Sequence, residues 1–471
     1  MEQSDTPGVV GAADTAMRIG AGLSGHLSPV QAAEQAAQQC MEGLEGHRPD
    51  LAFVFFSSHH IDAAQSIVAA IERRLNPACL IGVSAEATLG GEVELEGTPG
   101  ISIFAASLPG VHIKGFSTDQ LPGVREGIEG EMDLQAMREI AGLGGVRGGR
   151  HDAPHRATFL FVDPFSVPVN NLLPLMARAR SLPDALTQIG VVPARRAQLS
   201  SDATQPLPRP FGPIIGGMAS ASPRPEGNVL ILNDRIMRNG GVGVSLAGNV
   251  RVDTLVSQGC RPVGPTYVVT GVKGQLVTGL GGRPAIDALK DLLDSLGGKQ
   301  REQLQRGLFL GRAIDEYKTR FGRDDFLIRN VFGVDQAHSA IAVMELLKVG
   351  QTVQFHLRDQ ATATEDLALL LDAQQLHERP AGALLFTCNG RGIKMFDSPH
   401  HDARQVMKAF NIMPAGEEAA KMGFPVRASK VPGAEKHFAL AGFFAAGEIG
   451  PVGDQVFVHG QTACLAMFRT Q

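Results

Sequence analysis

Ala383-Leu384-Leu385-Phe386-Thr387-Cys388-Asn389-Gly390-Arg391-Gly392 is an apolar run that stops abruptly in glycines around one charged residue. Phe438-Ala439-Leu440-Ala441-Gly442-Phe443-Phe444-Ala445-Ala446-Gly447-Glu448-Ile449-Gly450-Pro451 repeats the construction further on. An apolar run of this length reads as a buried strand. Where it ends, glycine lets the backbone turn tightly or approach another group. Arg391 and Glu448 are therefore charges placed at the ends of buried strands, and charges near a core are paired or bind something.

Working outward, the pattern strand, polar loop, helix, strand, Gly/acid loop, strand occurs three times. The first copy runs from Leu51–Phe56 through Ser57-Ser58-His59-His60 and an apolar helix face to Cys79-Leu80-Ile81-Gly82-Val83-Ser84-Ala85-Glu86 and the strand 101–107. The middle copy starts at Ala157–Pro164, passes a helix near 172–176 and Pro213-Ile214-Ile215-Gly216-Gly217-Met218, and ends on 229–233. The third is the opening stretch, closing on 455–459 and 462–468. The fold class expected is α/β, with mixed sheets built from repeated strand-helix-strand-strand units in two domains. Helical crossovers make the flanking strands parallel neighbours or near-neighbours, and short final turns give antiparallel pairs.

The chain of 471 residues exceeds a usual single core. Its net charge of −5 comes from mixed acids and bases, with no basic face, which argues against nucleic-acid binding. Cys40, Cys79, Cys260, Cys388 and Cys464 are scattered, with no Cys-x-x-Cys pair, as suits a reducing compartment. The start, Met-Glu-Gln-Ser-Asp, is not a signal peptide, and no stretch approaches membrane-spanning length. A cytoplasmic protein without membrane insertion is expected.

Ser28-Pro29-Val30-Gln31 opens the first helix with a capping box. Pro109-Gly110 reads as a hairpin turn between 101–108 and 111–116, and Gly240-Gly241 as another between 229–232 and 242–246. Ser200–Pro213 reads as an exposed loop. From Val256 to Pro265 the character changes, and strands are expected at 267–272, 275–278, 326–330 and 352–357. Pro284 opens an amphipathic helix, and Thr362-x-x-Glu365 a second capping box. The domain division expected is 1–48 (arm and first helix), 49–255 and 256–471.

Cys388-Asn389-Gly390-Arg391-Gly392 suits an anion-binding turn, with the helix starting at Ser398-Pro399 adding positive potential. Glu448 suits a ligand amine. The structural alternatives pair Arg391 with a structural carboxylate, and Glu448 with Arg391 or with nearby amides. Cys388 invites a nucleophile reading with His400, His401 and Asp402 as neighbours, yet no oxyanion loop accompanies it. No His-x-x-x-His with a nearby acid marks a metal site. Gly279-Leu280-Gly281-Gly282 lacks the Gly-Lys-Ser/Thr of a phosphate loop. Cys260 reads as part of a structural crossing.

Asp50–Phe55, Ile215-Gly216-Gly217, Ser257-Gln258-Gly259-Cys260-Arg261-Pro262-Val263-Gly264, Gly282-Arg283-Pro284-Ala285, Cys388–Gly392 and Gly447-Glu448-Ile449-Gly450-Pro451 occur in the order that resembles the FIST family, over nearly all of residues 50 to 470. The resemblance implies an N-terminal and a C-terminal FIST domain of sensory, signal-transduction type, related to the FIST region of some F-box proteins. It implies small-ligand binding, with amino acids the usual suggestion, and some bacterial relatives are associated with haem. No kinase, methyl-accepting or F-box segment is attached, so signalling is expected through a separate partner protein. The site expected from residues and resemblance together is Cys388, Asn389, Arg391, Gly392, Gly447, Glu448, Gly450 and His459. The ligand expected is an amino acid or similar small zwitterion, and the cofactor is left unknown. The alternatives are a haem sensor, with His459 or His59 as axial ligand, and an enzyme using Cys388.

Overall fold

A computed structural model describes residues 16–124, 130–146, 152–182, 211–411 and 438–471. Residues 200–210 of the loop expected over 200–213, and the part of the expected arm before residue 16, lie outside them. The expected repetition is present and longer than the sequence suggested. The first unit is β1 (Arg18–Ser24), helix Pro29–Leu44, β2 (Leu51–Ser57), helix Ala64–Arg74, β3 (Cys79–Ala85), the hairpin β4 (Thr88–Gly90) and β5 (Val93–Leu95), and β6 (Ile101–Ser107). The second is β7 (Val111–Ser117), helix Glu131–Ile140, β8 (His155–Val162), helix Val169–Arg180, β9 (Ile214–Met218), the hairpin β10 (Leu230–Leu232) and β11 (Arg235–Met237), and β12 (Gly241–Gly248).

The third unit begins with β13 (Arg251–Gln258) and is interrupted by an inserted antiparallel sheet. That sheet comprises β14 (Cys260–Lys273), β15 (Leu276–Leu280), β16 (Arg283–Pro284), β17 (Leu308–Ala313), β18 (Phe326–Asp335), β19 (Ala340–Val343) and β20 (Thr352–Arg358). The unit resumes with helix Gln360–Gln374, β21 (Gly382–Cys388), helix His401–Asn411, β22 (Ala439–Ala445), the hairpin β23 (Glu448–Val452) and β24 (Gln455–His459), and β25 (Thr462–Arg469).

The crossovers give parallel pairs β2–β3, β8–β9 and β21–β22, as expected. The hairpins do not stay at home. The three sheets run β1-β6-β2-β3-β10-β11, β7-β12-β8-β9-β23-β24 and β13-β25-β21-β22-β4-β5. Each unit thus hands its hairpin to a neighbour's sheet: second to first, third to second, first to third. The chain turns between strands after β3, β9 and β22 meet where this exchange occurs. Ser220 N donates to the Ser84 carbonyl, Ala446 N to that of Met218, and Phe444 N to that of Ala87.

Two sequence expectations need correcting. Pro109-Gly110 is no hairpin: β6 already has β1 and β2 on its two edges, so β7 crosses to the next sheet and pairs with β12. Residues 229–232 do not pair with 242–246. Arg235–Met237 supplies their hairpin partner, while β12 lies between β7 and β8.

The strands are almost continuously apolar because both sheet faces are covered. Inward positions meet in a shared phenylalanine core, with Phe53 and Phe159 rings 5.0 Å apart, Phe55 and Phe443 5.0 Å, and Phe161 and Phe386 5.7 Å. Outward positions such as Ala52, Val54 and Phe56 pack under helices. Edge-to-face and offset contacts at these spacings add to burial. The inserted sheet closes on itself, because β14 pairs with β15 as well as β20. Val269, Val277, Leu310, Ile341, Val353 and Phe355 belong to its core, with helix Ala285–Ser295 packed against it.

Pro29 starts the first helix after Ser28, but Ser28 makes no side-chain cap bond. The Thr362 box also shifts: Asp359 precedes the helix, and Thr362 Oγ1 donates to Asp359 Oδ2 at 2.7 Å.

Candidate functional site

Cys388 lies opposite Ala445 in the parallel pair, and Asn389 N donates to the Ala445 carbonyl at 3.0 Å, so the two signatures lie side by side at one sheet edge. Arg391 follows β21 and is completely buried. Its partner is Asp402, on the helix after the loop, and not Glu448. Nε donates to Asp402 Oδ2 at 2.6 Å and Nη2 to Oδ1 at 2.8 Å. Thr387 Oγ1 (2.8 Å) and His401 Nδ1 (2.9 Å) donate to the same carboxylate. Burial alone would raise the Asp402 pKa, but the Arg391 fork and His401 outweigh it and hold the group well below the usual carboxylate range.

The rest of the turn is also engaged. Gly392 has φ +57°, and an added Cβ would fall 2.4 Å from Glu96 Oε2. The Ile393 amide donates to that carboxylate at 3.0 and 3.2 Å. The anion held by this turn is therefore the protein's own Glu96, delivered by the exchanged hairpin of the first unit. The helix expected from Ser398 starts at His401, and its Ala403 amide donates to Glu94 Oε1 at 2.9 Å. Gly392 and the helix start thus face acids of the first unit. Burial, then the Asp402 charge, raise the Glu94 pKa.

Glu448 opens β23 and is completely buried. Thr462 donates to Oε2 through N (3.2 Å) and Oγ1 (2.6 Å). Burial pushes the Glu448 pKa up to about 8, so the carboxyl is mostly protonated at neutral pH. Arg391 is close enough for its charge to act on Glu448. His459 Nε2 donates to the Gly450 carbonyl at 3.0 Å, and burial brings its pKa down to about 4, so the ring is neutral. Gly447 accepts from the Met218 amide and packs against the Met218 side chain.

Several buried polar atoms here lack a hydrogen-bond partner of ordinary strength. They are Arg391 Nη1, Glu448 Oε1, Asn389 Oδ1, His459 Nδ1, Gln461 Oε1 and Arg358 Nε. The Cys388 thiol also lies close enough to the Glu448 carboxyl to favour its charged form. Buried polar groups are normally satisfied, so such a concentration marks the locality. Gln461 and Arg358 were not read as site residues from sequence. Arg358 ends the alternating strand Val353-x-Phe355-x-Leu357, a lone charge at a strand end. Gln461, at φ +63°, sits in the turn before β25.

Cys388 is buried, and that burial, with the Glu448 charge, pushes its thiol up to about 12. His401 is committed to Asp402 and Thr364 and stacks on Phe396 at 3.5 Å, and His400 Nδ1 accepts from Glu94 N. This is a structural thiol's setting, not a nucleophile's. Cys260 is likewise buried and its pKa raised. For haem, the His459 ring is enclosed with Nε2 engaged, while His59 is exposed in the short 3-10 helix 58–63 after β2 of the first unit, away from His459. Among the described residues, no cluster of three or more His, Cys, Asp or Glu could hold a metal, and no helix is long and apolar enough to cross a membrane.

The FIST N domain matches residues 50–283 and the FIST C domain residues 285–451. An uncharacterized protein of Mycobacterium tuberculosis is 35% identical over 456 residues, covering 96% of this chain and 100% of its own length. An uncharacterized protein of Mycobacterium bovis is 33% identical over 455 residues, covering 96% and 99%. FIST domains suggest a sensory or signal-transduction role. With both of its domains present in order and relatives aligned end to end, this chain belongs to the FIST family.

Proposed function

We propose that the protein is a soluble cytoplasmic sensor that binds an amino acid or similar small zwitterion beside β21 and β23, and signals through a separate protein. The observation that carries this reading is the pair of unmatched atoms on two fully buried groups, Arg391 Nη1 and Glu448 Oε1. Asp402 fixes the guanidinium plane and leaves one nitrogen for a carboxylate. Asn389, Cys388 and His459 complete the surroundings. A neutral Glu448 can donate to a ligand, whereas an ammonium brought beside it draws its proton off. Binding of a zwitterion at pH 7 then releases a proton, and affinity rises with pH up to about 8, where Glu448 ionises in the free protein.

The test is a thermal-shift panel of amino acids, followed by calorimetry of any hit in buffers of different ionisation enthalpy. The expected result is a raised melting temperature without turnover, with proton release that disappears in Glu448→Gln. Proton uptake, or equal affinity of wild type and Glu448→Gln across pH 6 to 9, overturns the assignment of Glu448.

A further inference from the structure

The inserted sheet brings a cation close to the loop after β21. Arg358 ends β20, the barrel strand that precedes the return of the chain to the third unit. Its guanidinium has no carboxylate partner among the described residues. It lies 5.5 Å over the Phe309 ring, and Nη1 reaches the Lys394 carbonyl only at 3.5 Å. Nε is buried without a partner. An arginine at a strand end usually finds an acid or points into solvent. Arg358 does neither completely: it is half-buried, at the seam between the barrel and the three-sheet body.

Its neighbours make a setting for an anion. A Cβ on Gly390 would fall 3.0 Å from Arg358 Nη2 and 2.5 Å from Gln461 Oε1, so the bare glycine backbone lies against both side chains. Gln461 is 5% exposed and holds a left-handed backbone; its unmatched amide oxygen is an acceptor, so an anion would be met by its amide nitrogen. Across the seam, a Cβ on Gly259 would fall 3.0 Å from Arg391 Nη1, the nitrogen Asp402 leaves over. Arg358 and Arg391 both act on the charge of the Cys260 and Cys388 thiols, so the two guanidinium groups border one locality. The cost of keeping two cations there is offset once an anion joins them.

We propose that Arg358 and Arg391 Nη1, with the Gln461 amide, form a subsite for the carboxylate of a small organic acid or amino acid, reached from solvent past Asn389 and Gly390. The proposal rests on the reading of this locality as a ligand site and adds the barrel as its second wall. A carboxylate here ties the end of β20 to the loop after β21, which are otherwise joined at this point by one long hydrogen bond.

The test titrates wild type and variants with sodium acetate, with glycine, and with ethylamine, which lacks the carboxylate, against matched sodium chloride. Acetate and glycine are expected to raise the melting temperature of wild type. Arg358→Gln is expected to weaken both by about ten- to a hundredfold, the loss of a charge-assisted fork. Arg358→Lys, which keeps the charge without the fork, should recover part of the loss. Arg358 holds little of the fold together, so its variants stay testable, and their unliganded melting temperatures check this. If Arg358→Gln binds acetate as wild type does, or ethylamine stabilises wild type while acetate does not, the subsite is wrong and the ligand site stands. If none of the three binds, both fall.

Discussion

The corner after β8 and the corner after β21 occupy the same place in two copies of one unit, and they are finished differently. At the first, Asp163 is buried and saturated. Oδ1 accepts from Asn228 Nδ2 at 3.0 Å, and Oδ2 from Ser166 Oγ at 2.7 Å and Phe165 N at 3.2 Å. All its donors come from the second unit itself. At the second, Arg391 is held just as firmly by Asp402, but Nη1 is left over and faces a seam where Glu448, Gln461 and Arg358 also have atoms to spare. The same architecture thus makes one sealed corner and one with unused bonding capacity. Of the groups with spare atoms, Glu448 and Gln461 belong to the third unit itself, and Arg358 comes from the sheet inserted into it.

That contrast can be broken in three ways. The largest effect is expected from Asp402→Asn or Arg391→Ala, each of which leaves a buried partner uncompensated. A loss of about 3–5 kcal/mol in chemical denaturation is expected, and a loss below about 1 kcal/mol would mean that the pair is not holding the corner. Asp163→Ala strands three donors and should cost about 2–3 kcal/mol. It should leave the response to acetate and glycine untouched, because the sealed corner has no ligand role. A changed response would erase the distinction between the corners.

The effect sharpest in sign belongs to Glu448. Its folded pKa of about 8 lies above the ordinary carboxylate value of 4.5, so the folded state holds the proton more tightly. Wild-type stability is therefore fullest below about pH 4.5 in this respect and falls as pH rises towards 8. Glu448→Gln should match wild type near pH 5 and exceed it near pH 9, on the order of 1 kcal/mol or more. A variant less stable than wild type at pH 9 would show that Glu448 is ionised and favourably paired.

The strand–helix–strand core of each unit was legible because parallel strands covered on both faces read as continuous apolar runs. Leu51–Phe56, Ala157–Val162 and Ala383–Cys388 all announced themselves. What the residues did not disclose is non-local. Nothing in Val229–Asn233 says that it pairs with β3 of another unit, since a hairpin carries its own register but not its address. The strands 308–313 and 340–343 went unread, and with them the closure of the barrel. Arg391 was recognised as a buried cation from its glycine setting, but its partner was not. Asp402 looked like an ordinary acid at a helix start, a position that favours acids for other reasons. Arg358 was missed because a single arginine after an alternating strand carries no signal until its lack of a partner is seen.

The exchange of hairpins bears on how the chain is made. On the ribosome, the first unit emerges with β4 and β5 before their seat on β22 exists. The edge of β9 must then wait for β23, roughly ten seconds or more at ordinary elongation rates. An apolar strand with an open edge is a template for the wrong partner. The nascent protein therefore passes through a long interval in which its best-formed sheets are its most adhesive surfaces, and a premature stop anywhere before residue 448 leaves one of them permanently open.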